Sequence, residues 1–130
     1  MIVVDASAVL EVLLNTRDGA GIAARLFAAG ESLHAPHLLD LEVAQVLRRY
    51  ARSGELTAQR GMQALEDLVD LPLLRYPHEL LLARIWELRD NVTAYDAAYL
   101  ALAEALAAPL VTRDAALASS RAHRARVELM

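Results

Sequence analysis

Residues 1–10 read MIVVDASAVL: a short apolar run, one acid, then small residues. Ile2, Val3 and Val4 read as a strand, and the stretch from Ala6 to about Asn15 as a helix. Asp5 therefore falls at the joint between a strand and a helix. It is either a plain helix cap or the first piece of an active site.

The rest of the chain repeats the alternation. Asp18 in the turn RDGAG (17–21) is placed to cap a second helix, IAARLFAA (22–29), and ESLHAP (31–36) gives a short strand. Pro36 suits the first turn of a long helix that Gly54 closes, and Thr57 suits the cap of the next, which Pro72 breaks. LPLLRYP (71–77) reads as a strand between prolines, and HELLLARIWELRD (78–90) as a helix with apolar spacing near 3.6. TAYDAAYLALAEALAA (93–108) is a helix apolar on nearly every side, so it is expected to be buried. PLVTRD (109–114) is a strand with an acid at its end, and ARVELM (125–130) a last strand. Strands alternating with helices imply an α/β fold: a three-layer α/β/α sandwich around a mostly parallel sheet, with residues 1–130 as a single domain.

Composition narrows the function. Hydrophobic residues make up 56% of the 130, with one Trp and one Phe, so the core is mainly Ala, Leu and Val. No segment approaches the roughly 20 apolar residues needed to cross a bilayer. Asp5 interrupts the first apolar run too early for a secretion signal. Absence of Cys excludes disulfides and thiolate metal sites and fits a cytoplasmic location. A net charge of −4 argues against gripping nucleic acid by bulk electrostatics, and every basic residue is Arg, suited to bidentate phosphate contacts.

Ligands of parallel sheets bind beyond the carboxyl ends of the strands, where Asp5 and Asp114 both fall. Glu42 borders the apolar stripe Leu39, Val43, Val46, Leu47 and Tyr50. It is either a surface residue paired with Arg49 or an acid turned toward an enclosed space, with Asp40 as a weaker rival. Asp96 fits a capping box with Thr93, yet the helix it opens is too apolar to have a solvated face. Carboxylates a few ångströms apart repel by about 4 kcal/mol per pair at an effective dielectric near 20. If these four meet, protons or a divalent cation must offset that repulsion. An all-oxygen donor set favours Mg²⁺ or Mn²⁺ over Zn²⁺ and suits phosphodiester hydrolysis.

Taken in order, VVDASAVL, LEVAQVL, TAYDAAYLALA and LVTRD resemble the PIN-domain ribonucleases, specifically the VapC toxins of bacterial toxin–antitoxin pairs. The resemblance covers essentially the whole chain. It implies that Asp5, Glu42, Asp96 and Asp114 form an acidic quartet that binds Mg²⁺ or Mn²⁺ and cleaves RNA, with Ser7 and Thr112 orienting ligands or water. It also implies a cognate antitoxin that occupies the site or its groove, and a homodimer. Gln45 stands where the family often has Asn, one methylene further from the same amide contacts.

Several rivals share parts of the pattern. A phospho-receiver domain needs a Lys after a late strand, and a haloacid-dehalogenase-type phosphatase needs an acid where Ser7 stands; neither requirement is met. The remaining rival is a non-catalytic interaction module whose acids are caps and surface charges. His34 and His37 flank a proline with no helical metal spacing, so a structural role is expected. Arg48, Arg49 and Arg52 read as a solvated helix face. Arg121, Arg124 and Arg126 could steer RNA or meet a partner, and Arg113 could face either the scissile phosphate or the acids.

Overall fold

The computed structural model describes residues 1–130. Its strands are β1 (Ile2–Val4), β2 (Leu33–Pro36), β3 (Leu73–Tyr76), β4 (Leu110–Thr112) and β5 (Val127–Leu129). They form one sheet in the order β3-β2-β1-β4-β5, and every neighbouring pair is parallel. The helices are α1 (Ala6–Leu13), α2 (Gly19–Leu26), α3 (Leu38–Ser53), α4 (Ala58–Asp70), α5 (Leu82–Glu87), α6 (Ala94–Leu106) and α7 (Ala115–Ala118). A sheet of parallel strands must be covered on both faces, and β1, β2 and β4 are buried throughout. The expected α/β/α architecture with a parallel sheet is the one observed, and no helix is long and apolar enough to cross a membrane.

The chain leaves β1 toward β2 and β3, then returns to the opposite side of β1 to form β4 and β5. Strand order therefore reverses between β1 and β4, where Val3 is in register with Leu110 and Val4 with Val111. Adjacent crossovers leave in opposite directions at such a point, opening a crevice beyond the strands' carboxyl ends. Asp5 and Asp114 stand at that edge. α6 packs against β1, β2 and β4, and all seven residues from Ala97 to Ala103 are buried, as its near-continuous apolar sequence predicts.

The local signals hold in part. Thr57 accepts from the Arg60 amide and opens α4, while Gly54 ends α3 at φ 82°, in the left-handed region that glycine adopts without strain. Pro36 ends β2 instead of starting α3, because its fixed φ also suits an extended residue and Ala35 before it is biased toward the strand. Asp18 precedes α2 but makes no capping bond; its carboxylate accepts from Arg113 Nη2 at 2.9 Å. α2 begins at Gly19, three residues before the expected start. There a Cβ would lie 2.4 Å from the Glu11 carbonyl oxygen, an approach only glycine permits.

The segment 78–90 departs most from expectation. A single 3₁₀ turn, Glu79–Leu81, precedes the six-residue α5. Leu81 and Leu88 are buried, whereas Leu80, Leu82 and Trp86 stay exposed, so little apolar burial holds a longer helix. His34 is buried between Ser32 (2.8 Å) and Tyr76 (2.7 Å), and His78 accepts from the Leu38 amide, so both are structural.

Candidate active site

Asp5 is 6% exposed, and its carboxylate is fully engaged at one oxygen. Oδ1 accepts from Ser7 Oγ at 2.6 Å and from the Ala8 amide at 3.1 Å, the latter being the cap of α1. Oδ2 accepts from the buried Thr112 hydroxyl and retains one lone pair. Ser7 in turn accepts from the Arg113 amide, and Thr112 from the Asp114 amide, both at 2.9 Å. This chain of bonds stitches the end of β1 to the end of β4, so the loop 112–114 holds one shape relative to Asp5. Both hydroxyls thus bond to Asp5.

Asp114 caps α7: its Oδ1 accepts from the amides of Ala116 and Leu117 at 2.9 and 3.2 Å. Asp96 behaves differently. Thr93 Oγ1 accepts from the Asp96 amide at 3.2 Å, so half of the capping box forms. The Asp96 carboxylate accepts no hydrogen bond in return and is free for other work. Glu42 is half-buried and accepts from the Tyr99 hydroxyl at 2.5 Å, not from Arg49. Tyr99 lies three residues after Asp96, on the same face of α6. Sequence reading passed over Tyr99, because a tyrosine in an apolar helix looks like core filler. The only available signal was its buried hydroxyl, which requires a partner.

Ten ion pairs fix other charges of the molecule, yet none involves Asp5, Glu42, Asp96 or Asp114. Asp40, the rival to Glu42, is held by Arg75 in a two-pronged pair at 2.7 and 3.0 Å. Arg113 turns to Asp18 at 2.9 Å and Glu11 at 3.9 Å, and donates to the Met130 carbonyl, so it does not neutralise the four acids.

The electrostatic consequence is consistent across the group. Burial pushes the Asp5 carboxyl up, opposed by its hydrogen bonds from Ser7, Thr112 and Ala8, with the charge of Asp114 raising it further. Burial pushes Glu42 up, the Tyr99 bond opposes it, and the charges of Asp5 and Asp96 add to the rise. Asp96 is raised by burial, then by the charges of Asp114 and Asp5. Tyr99 is driven far above its ordinary value by burial and by the Glu42 carboxylate. Four acids from β1, α3, α6 and the end of β4 thus share one electrostatic field.

They do not close on a single point. No three Asp, Glu, His or Cys side chains are grouped tightly enough to hold an ion as they stand. The donors present are all oxygens. The chemistry of the set therefore fits a hard divalent cation, with side-chain rotation needed to close around it. On one flank, Ser7 and Glu42 border an open groove of about 620 Å³ whose wall is largely apolar, with Leu10, Leu41, Tyr50 and Tyr95. On the other flank Asp96 lines a smaller depression with Thr93 and Ala116.

Comparison with known proteins identifies the family. The PIN domain family model matches residues 2–121. Ribonuclease VapC9 of Mycobacterium tuberculosis is 52% identical over 120 residues, 92% of this chain and 91% of that protein. Ribonuclease VapC12 of the same organism is 40% identical over 130 residues, 100% of this chain and 99% of its own. In fold, the chain is similar to VapBC2 from Rickettsia felis bound to a promoter DNA fragment, with TM-score 0.72 and 15% identity, covering 99% of this chain and 98% of that one. A family match over most of the sequence, relatives at this identity, and a switch-point cluster of acids lead to one conclusion. The chain belongs to the PIN-domain family.

Proposed function

We propose that this protein is a divalent-metal-dependent endoribonuclease, the toxin of a toxin–antitoxin pair, and that Mg²⁺ or Mn²⁺ is its metal. The observation that carries the reading is the set of four partly buried carboxylates, none paired with a cation, at the point where strand order reverses. A marginally stable domain does not hold such a set without a use for it. Family membership and the ribonuclease relatives make RNA the substrate.

Asp5, Asp96 and Asp114 would hold the cation, with Glu42 either joining them or orienting the attacking water. A hard cation bound there supplies activation of water and charge neutralisation at phosphate oxygens. The chain's own residues supply placement. Ser7 and Thr112 fix both oxygens of Asp5, which keeps that carboxylate from swinging with the metal or the RNA. Arg113 lines the groove beside Ser7, and its side chain is available to a phosphate once it exchanges Asp18 for the substrate. The adjoining apolar groove is the surface for the cognate antitoxin, whose segment would cover the acids and shut off cleavage.

Incubation of purified protein with RNA tests the reading. Cleavage is expected with Mg²⁺ or Mn²⁺, none with a chelator, and at least a hundredfold less with Asp96→Asn, which retains the fold. Metal-independent cleavage, or undiminished cleavage by Asp96→Asn, would overturn it. The non-catalytic alternative predicts no cleavage at all.

A further inference from the structure

We propose that Tyr99 is a positioning residue for the site: its hydroxyl fixes the Glu42 carboxylate toward the other acids. This inference rests on the functional reading above and adds a residue to it. Glu42 projects from α3 on a side chain with three rotatable bonds, and it borders an open groove. Left alone, such a carboxylate gains hydration and rotamer freedom by turning outward. Tyr99 opposes that. It is 1% exposed, its ring is fixed within the core by α6, and its hydroxyl donates to Glu42 Oε1 at 2.5 Å. A charge-assisted bond of this length from an immobile donor restrains one oxygen of the carboxylate and leaves the other unengaged.

The placement of the pair along the chain matters as much as the bond. Tyr99 and Asp96 share a face of α6, so one rigid helix sets the position of Asp96 directly and of Glu42 through the phenol. α6 also packs on β1, whose end carries Asp5. Glu42 on α3, like Asp96 on α6, does not sit at the turn that directly follows β1 or β4. It therefore needs an external constraint that Asp5 and Asp114 obtain from their own turns. No other side chain bonds to it.

The test compares the wild type with Tyr99→Phe, Glu42→Gln and the double variant, each read by Mn²⁺ titration calorimetry and by RNA cleavage. Phenylalanine keeps the buried ring. Tyr99→Phe is expected to weaken Mn²⁺ binding about tenfold and to lower kcat with little change in KM for RNA. In the Glu42→Gln background, loss of the hydroxyl should change Mn²⁺ affinity less than twofold, because the two residues act through one contact. Equal losses in both backgrounds, or Tyr99→Phe indistinguishable from the wild type, overturn the proposal. A second measurement needs no variant at position 99: in 3-fluorotyrosine-labelled wild type, the Tyr99 resonance, assigned by replacing the other three tyrosines singly, should shift on Mn²⁺-competitive Mg²⁺ titration. An unmoved resonance at saturating Mg²⁺ also overturns it. A wild type that neither binds Mn²⁺ nor cleaves RNA overturns the functional reading itself, whereas a competent wild type with a silent Tyr99→Phe overturns this inference alone.

Discussion

Asp96 shows how burial and like charge act on one side chain. Its carboxyl is raised by burial first, then by Asp114 and Asp5, and no hydrogen bond to its oxygens offsets the rise. The sign follows from linkage. An acid whose folded pKa lies above its unfolded value holds its proton more tightly in the folded state, so stability falls as pH climbs through that raised pKa. In metal-free buffer, Asp96→Asn should therefore be more stable than the wild type at neutral pH, by about 1 kcal/mol for a screened carboxylate cluster. The advantage should shrink as pH falls from the raised pKa toward the ordinary carboxylate value, below which Asp96 is protonated in both states. Denaturant unfolding of the two proteins from pH 7.5 down to 4.5 measures it; an advantage that grows on acidification contradicts the assignment. The difference includes the relief of Glu42, which the Asp96 charge also raises, while groups remote from the cluster bend both curves equally. His34, lowered mainly by burial, loses stability as pH falls below its ordinary value, and taking the difference between the two proteins cancels it.

At the scale of elements, the strand–acid–helix joints were legible because the same local grammar that ends a strand and caps a helix also sets an acid at the sheet edge. Asp5 and Asp114 are caps and cluster members at once, so the two readings of those residues were never exclusive. Asp96 was half legible: Thr93 caps α6 as its sequence says, and the freedom of the carboxylate depends on what packs nearby. The Tyr99–Glu42 bond joins residues 57 apart, and no periodicity encodes a meeting of α3 with α6. The segment 78–90 shows the converse, since its spacing is helical but Leu80, Leu82 and Trp86, half of its large apolar residues, stay exposed. α2 was misplaced because its start is decided by contact, not propensity. The α1–α2 corner needs Gly19 to touch the Glu11 carbonyl. Gly19→Ala should cost about 1–3 kcal/mol as the corner opens to relieve backbone contact. Chemical unfolding checks this. Gly21→Ala is the control: a Cβ there meets nothing within 4 Å, so stability should hold or rise slightly.

For the whole molecule, the distribution of charge is more informative than its sum of −4. Arginines are placed where they tie separate parts together: Arg25 joins α2 to Glu128 of β5, Arg75 joins β3 to Asp40 of α3, and Arg84 joins α5 to Glu104 of α6 and to the Ala122 carbonyl. Seven acids outside the cluster are paired with a cation, whereas none of the four at the switch point is. A folded state with this layout favours any ligand that brings positive charge to that edge, and the unfolded chain, with its carboxylates dispersed, does not. Mass action converts the difference into stability: about 2.7 kcal/mol at a free ion concentration one hundred times Kd, a rise of several degrees in Tm for a domain of this size. Calorimetric melting in buffer, in millimolar MgCl₂, and in NaCl of equal ionic strength separates specific binding from screening. Mg²⁺ should raise Tm well beyond NaCl, and Asp96→Asn, already relieved of one charge, should lose most of the Mg²⁺-specific part while keeping the NaCl response. Equal rises in the two salts would mean that the acids are screened as a surface, not gathered around an ion.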